Sequence, residues 1–304
     1  MVARFQARSG GIVAFVADNG AGQLNDWLQH GRRARNALEE TWGAVAEVCS
    51  DLSDEEWALP TACPGWDVKD QLSHLIGIEL AIMGEPVPEW DGPLGDHVKN
   101  DFAATNERYV AVRRGRSGPS VRAEFVEVTA TRLAQLDALS AAEWAAVGWS
   151  PVGDVPRAEF MTVRVYDSWV HEQDVRLALH RPGGDGNLAS EISLDRVQAA
   201  MPFVVGKKAG CAEGTAVRFD LTGPAHDARA FTIAVEGGRA RPVRAEAAPT
   251  VTLSLAAVDF MRLGCGRITA AQVEAADGVD TGGVGIDGDQ LVGRSVLGAM
   301  NFMS

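Results

Sequence analysis

MTVRVYDSWVHEQDVRLALH, residues 161–180, reads as the central helix of the chain. Its apolar residues Val163, Val165, Trp169, Val170, Leu177 and Leu179 fit a buried or half-buried helix better than a strand. The run is long for a strand and holds neither Gly nor Pro. Asp167 and His171 stand four apart, which stacks their side chains on one helix face. A carboxylate and an imidazole so placed supply two of the three protein ligands that a catalytic zinc ion usually takes. The third must come from elsewhere, and His74 is the histidine in a comparably helical, apolar setting. On spacing alone two blander readings stay open. An acid and a histidine at that interval also form a local ion pair, and a histidine on an apolar face is commonly a hydrogen-bonded core residue.

The rest of the chain narrows the class. With 304 residues, 46% of them hydrophobic, it can bury a full core and is long enough for two domains. Its 41 acidic against 28 basic residues, a formal charge of -13, argue against a nucleic-acid binder. Cys49, Cys63, Cys211 and Cys265 lie far apart with no CxxC pair, which reads as reduced thiols of a cytoplasmic protein. No run reaches the roughly 18 apolar residues of a membrane span. Arg4 and Arg8 precede a short apolar run, Ile12 to Ala17. A signal peptide wants a longer apolar core and a small residue where Phe15 stands, so residues 1–23 read as a ragged or loosely docked leader.

On the N-terminal side of the central helix, residues 24–50 repeat apolar positions at intervals of three and four (Leu24, Trp27, Leu28, Leu38, Trp42, Val45), the pattern of a long amphipathic helix. Pro60, Pro64 and Gly65 punctuate a loop over 52–66. Asp67 then reads as the N-cap of a helix that carries His74, with Asp70 as a short-armed capping-box partner and Pro86 and Pro88 as the stop. Helical patterns follow at 102–112 and after Ser120, a candidate cap. Four or five helices on moderate loops suit an antiparallel bundle over residues 24–182. The Gly- and Pro-rich run 181–187 is the best boundary. Beyond it, a helix from Ser193 to about Lys207 and the runs AVRFDLTG, FTIAVEG and TVTLSLA predict a small α+β domain over 188–304. The helical patterns VDFMRLGCG and DQLVGRSVLGAMNF complete it.

Two of these stretches, TACPGWDVKDQLSHL (61–75) and VRVYDSWVHEQDVRLAL (163–179), together resemble the mycothiol-dependent maleylpyruvate isomerase family. That family shows a Pro-Gly-Trp turn, a helix ending in His-Leu, and a later helix with an acid, Trp, His and Asp in the same order. The resemblance implies a DinB-like four-helix bundle followed by a sterol-carrier-like domain. It also implies a divalent metal, usually zinc, held by His74, Asp167 and His171, with mycothiol as thiol cosubstrate. Where the family carries Glu, this chain carries the shorter Asp167. Arg267, in the run Gly264 to Arg267, is similar to a family arginine that faces the active site, and Asp174 matches the family's His-x-x-Asp. The residues also allow Asp174 a surface pairing with Arg176, and Arg267 a place in a solvated loop.

These expectations point to a metal-dependent, mycothiol-using transferase or isomerase acting on a small electrophile. The partners implied are a small-molecule substrate and a low-molecular-weight thiol, with no nucleic acid and no membrane; oligomeric state is open. The competing readings are a non-catalytic ligand- or partner-binding member of the same fold and a metal-dependent hydrolase. Glu172 does not supply a base for the latter, because it points about a hundred degrees off the ligand face.

Overall fold

Apolar residues at intervals of three and four wind Gly20–Val48 into α1, whose buried stripe is Leu38, Trp42 and Val45. The structure, a computed structural model, describes residues 20–224, 227–244, 248–275 and 282–302. Most of the expected leader lies outside the described residues, and residues 20–23 open α1 instead of belonging to it. A short helix α2 (Asp54–Trp57) leads to α3 (Val68–Met83), α4 (Asp101–Ala111), α5 (Gly118–Asp137) and α6 (Ala141–Ala145). A two-residue ribbon, β1 (Val147–Gly148) with β2 (Val155–Pro156), precedes α7 (Arg157–Ala178).

α1, α5, α3 and α7 pack in a ring, each against the next, as the four-helix reading requires. Leu72, Leu75 and Ile76 of α3 meet Phe125 of α5 and Met161, Val165 and Trp169 of α7 in one core. Each such side chain contributes roughly 1.5–3 kcal/mol by leaving water. Two polar links fix the register of α1 on α7. The Trp42 indole donates to Ser168 Oγ (3.0 Å), and Thr41 Oγ1 donates to the buried Glu172 carboxylate (2.6 Å).

Helix ends differ from the sequence expectation in instructive ways. Asp67 caps α3 by accepting from the Asp70 backbone N–H (2.8 Å), but the Asp70 carboxylate does not return to the cap. It turns to Arg114, whose Nε and Nη2 each lie 3.2 Å away. α3 stops at Gly84, which takes the left-handed conformation (φ 93°), before either proline is reached. α5 starts after Ser117, with Pro119 in its first turn, so Ser120 lies inside the helix and is not its cap.

α8 (Leu188–Phe203) runs on into a π-helical turn at Val204–Lys208. It packs against α1 and α7 on one side and against the sheet on the other. The sheet holds β3 (Ala216–Thr222), β4 (Arg229–Glu236), β5 (Arg239–Val243), β6 (Val251–Ala256) and β7 (Val284–Gly288) in the order β5-β4-β3-β6-β7. β3 and β6 run parallel; the other pairs are antiparallel. α9 (Ala257–Gly264), α10 (Ala270–Ala275) and α11 (Gln290–Ala299) complete the chain. The result is a helical N-terminal part and an α+β C-terminal part, as the sequence predicts. β5, β7 and α10 are additions to that expectation. Gly237 and Gly238, both at positive φ, make the tight hairpin that pairs β5 with β4.

The loop after α9 aims a charged side chain at the bundle. Gly266 sits there at φ 71°, and a Cβ on it would stand 2.6 Å from Asn301 Nδ2. The turn closes with the Arg267 N–H donating to the Arg262 carbonyl (2.8 Å), which sends the Arg267 side chain toward α7.

Candidate metal centre and adjoining cavities

α3 brings His74 and α7 brings Asp167 and His171 to one point in the bundle, with one donor atom from each within 4.8 Å of the others. His74 Nε2 lies 3.5 Å from Asp167 Oδ2, and His171 Nε2 lies 3.7 Å from Asp167 Oδ1. Both imidazoles are buried, and their centroids are 4.5 Å apart. Neither nitrogen of His74 has a hydrogen-bond partner, an uncommon state for a buried ring. Burial, helped by the neighbouring His171, pushes the His74 pKa down to about 4, so at neutral pH the ring is uncharged and offers a lone pair. Burial opposes ionisation of Asp167, but the Arg164 guanidinium and then His74 overcome it and hold the carboxyl well below its usual range. Two imidazoles and one carboxylate are a donor set that suits a divalent transition metal. The residues therefore fit the group that the sequence resemblance implies.

A second layer orients these donors. His171 Nδ1 is 2.5 Å from Gln71 Oε1, so its N–H donates there and Nε2 is left to face Asp167. Gln71 in turn donates to Thr61 Oγ1 (2.5 Å), which donates to the Trp66 carbonyl (2.9 Å). The Thr-x-Cys-Pro-Gly-Trp loop thus sets the angle of the His171 ring, about a hundred residues away. The Trp66 ring itself covers both imidazoles, at 4.9 Å from His74 and 6.0 Å from His171. On the other side Arg164 Nη1 holds Asp167 Oδ2 at 2.6 Å. Arg164 is anchored through Nε to the buried Glu79 (2.8 Å), which also takes Arg132 (3.1 Å).

Asp174 and Arg267 meet each other. Arg267 Nε lies 2.9 Å from both carboxylate oxygens and Nη2 is 2.9 Å from Oδ2, a two-pronged pair across the junction of the helical and α+β parts. The surface pairing with Arg176 is corrected, since Arg176 binds Glu172 instead (2.7 Å). Burial works against the Asp174 charge, but the contacts from His171 and Arg267 bring its carboxyl below the ordinary value. Cys63 Sγ donates to Asp174 Oδ2 at 3.3 Å, and Cys63, His171 and Asp174 make a second cluster of metal-binding residue types. That cluster fits a cation less well. Arg267 already neutralises Asp174, and Gln71 claims the His171 nitrogen that faces it. Burial also pushes the Cys63 thiol up, away from the thiolate a metal needs.

Two cavities adjoin the centre. One of about 360 Å³ is lined by Tyr166, Asp167, His171, Cys265, Arg267 and Asn301, among others. The other, about 310 Å³, lies toward the C-terminal end of α7 and is lined by residues that include Trp169, Gln173, Leu177 and Val258. Arg267, Val170 and Cys265 line both, so the arginine stands where the two meet. The Tyr166 hydroxyl is near enough to the Cys265 thiol to be perturbed by it but does not hydrogen-bond to it, the thiol being turned to the Arg262 carbonyl (3.6 Å).

Residues 38–176 match the family described as the mycothiol maleylpyruvate isomerase N-terminal domain. The helical part of the chain is similar to that family. Two solved structures are similar to the whole: a mycothiol-dependent maleylpyruvate isomerase (TM-score 0.48) and a His-to-Ala variant of the same enzyme (TM-score 0.47). Each is 17% identical to this chain and covers 87% of it and 92% of its own length. No curated protein gives a match. Of the residues singled out in the sequence, His74, Asp167 and His171 come together, and Asp174 and Arg267 join one another beside them. Gln71, Arg164, Glu79 and Tyr166 were not anticipated. The one sequence cue to them is position: Gln71 precedes His74 by three, and Arg164 precedes Asp167 by three.

Proposed function

We propose that this chain is a metal-dependent enzyme that uses mycothiol as thiol cosubstrate to transfer to, or isomerise, a small electrophile. The observation that carries this reading is the buried His74, with both ring nitrogens unpaired, facing Asp167 and the Nε2 of His171. His74, Asp167 and His171 would hold the cation, and zinc is the one we propose. Bound there, it would deprotonate a coordinating thiol and so supply a sulfur nucleophile at neutral pH. The chain's own residues do the remainder. Gln71 keeps the His171 proton on Nδ1, Arg164 holds the Asp167 carboxylate in place, and Trp66 shields both imidazoles from water. Arg267 stands at the junction of the two cavities as the partner for a substrate carboxylate, and Asp174 positions it.

The division at residues 182–188 belongs to the same proposal: the bundle supplies the cation donors and the α+β part supplies Arg267. A cytoplasmic setting suits it too, because Cys49, Cys63, Cys211 and Cys265 are all free, and among the described residues no helix is long and apolar enough to cross a membrane. The test is an assay of zinc-loaded protein with mycothiol and either maleylpyruvate or a haloaromatic electrophile. Consumption of free thiol marks a transferase; a cis-to-trans product with thiol regenerated marks an isomerase. The same turnover without thiol, or after His171→Ala, would overturn the proposal.

A further inference from the structure

Two residues that line the cavity beside the donors each hold a buried polar atom with no hydrogen-bond partner within the fold. The Tyr166 hydroxyl belongs to a side chain only 4% exposed and makes no hydrogen bond. Asn301 Oδ1, in the segment after α11, is buried and equally unpartnered. They come from the two parts of the fold, yet both line the 360 Å³ cavity that also holds Asp167, His171 and Arg267. A buried hydroxyl and a buried amide oxygen are costly to leave unmet, so each is a point where a bound group gains more than it would at a hydrated surface.

Their chemistry restricts what that group can be. A phenol can donate, whereas an amide oxygen only accepts. One group that satisfies both must take a proton contact from Tyr166 and give one to Asn301. A hydroxyl or a secondary amide does so. A carboxylate has no proton to give and would leave Asn301 Oδ1 against negative charge. Arg267 lines this cavity and its neighbour alike, so an anionic electrophile has its charge partner without these two residues.

We propose that Tyr166 and Asn301 form a neutral hydrogen-bonding subsite for a hydroxyl or amide group of the thiol cosubstrate, next to its sulfur. This rests on the thiol-using reading above. It assigns Tyr166 to binding the cosubstrate and leaves the cation to His74, Asp167 and His171.

The experiment is calorimetric titration of zinc-loaded full-length protein, wild type, Tyr166→Phe and Asn301→Leu, with four thiols. Propanethiol is the bare sulfur ligand, 3-mercaptopropanol adds a hydroxyl, N-acetylcysteamine adds an amide, and 3-mercaptopropionate adds a carboxylate. For the wild type, the hydroxyl or the amide compound should bind about tenfold or more tightly than propanethiol, the scale of one buried hydrogen bond. Whichever leads identifies the group. Tyr166→Phe and Asn301→Leu should each remove most of that margin while leaving propanethiol affinity and zinc content unchanged. Melting of Tyr166→Phe should hold or rise, because the deleted hydroxyl has no partner to lose. Equal affinity for all neutral thiols, a lead for the carboxylate, a margin that survives in both variants, or a lowered melting temperature for Tyr166→Phe would overturn the subsite. Failure of zinc-loaded protein to bind even propanethiol would overturn the thiol-using function and the subsite with it.

Discussion

The Asp174–Arg267 pair should behave as a strongly coupled buried ion pair that ties α7 to the loop after α9. Asp174 is 3% exposed and Arg267 spans its carboxylate with Nε and Nη2 at 2.9 Å. Arg267→Gln leaves a buried carboxylate with only Cys63 and His171 for company, a loss on the order of 3–5 kcal/mol. Asp174→Asn strands a guanidinium whose side chain is 18% exposed and can turn into the cavities, so about 2–3 kcal/mol is expected. The double variant removes both charges together and should cost about 3 kcal/mol, well under the sum. The coupling energy is then roughly 2–5 kcal/mol. Urea unfolding of the four proteins, followed by tryptophan fluorescence, measures it. The sign with pH is fixed by the same geometry. The Asp174 carboxyl is depressed in the folded state, so its contribution is present above the ordinary carboxylate pKa and fades as pH falls through the folded value. Coupling below about 0.5 kcal/mol at neutral pH, within the range of additive sites, would refute the pairing as an energetic link.

Two further outcomes concern the neighbours of the donors. Gln71→Leu should lower metal affinity by about 10–100-fold with little change in stoichiometry, because it frees the His171 ring and its tautomer; competition with a chelator of known affinity reads this directly, and unchanged affinity would remove Gln71 from the site. Burial, added to by Asp67, raises the Asp70 pKa to about 6, so its contribution to stability is full below the unfolded value of 3.8 and is lost as pH rises through about 6. Relative to Asp70→Asn, the wild type should lose up to about 3 kcal/mol between pH 4 and pH 7; parallel stability–pH curves for the two proteins would contradict this.

What the sequence made legible was the part written in local spacing. Asp167 and His171 share a helix face by arithmetic, and His74 stands out as a polar ring among Leu72, Leu75 and Ile76. The bundle was legible because its helices are long and periodic. β5 and β7 were not, and the reason is physical. Both are edge strands with little burial; RARPV holds a proline and two arginines, and VGIDG two glycines, so neither carries the alternation of a core strand. The partners of Asp70 and Asp174 were not legible for another reason. A carboxylate's local options, a cap or an i+2 arginine, are visible in sequence. Its actual partners, Arg114 and Arg267, lie 44 and 93 residues away. Tyr166 and Asn301 meet only through the tertiary fold, and nothing in their flanking residues marks them.

Above all, α3 and α7 together must hold a divalent cation if the site is to work as proposed. The decisive measurement is elemental analysis of the full-length protein after zinc loading and desalting, with His74→Ala and His171→Ala alongside. About one zinc per chain is expected in the wild type and its loss in both variants, each still folded by circular dichroism. A wild-type protein that takes up no zinc, cobalt, nickel or iron, or variants that keep a full equivalent, would show that these helices build no metal centre.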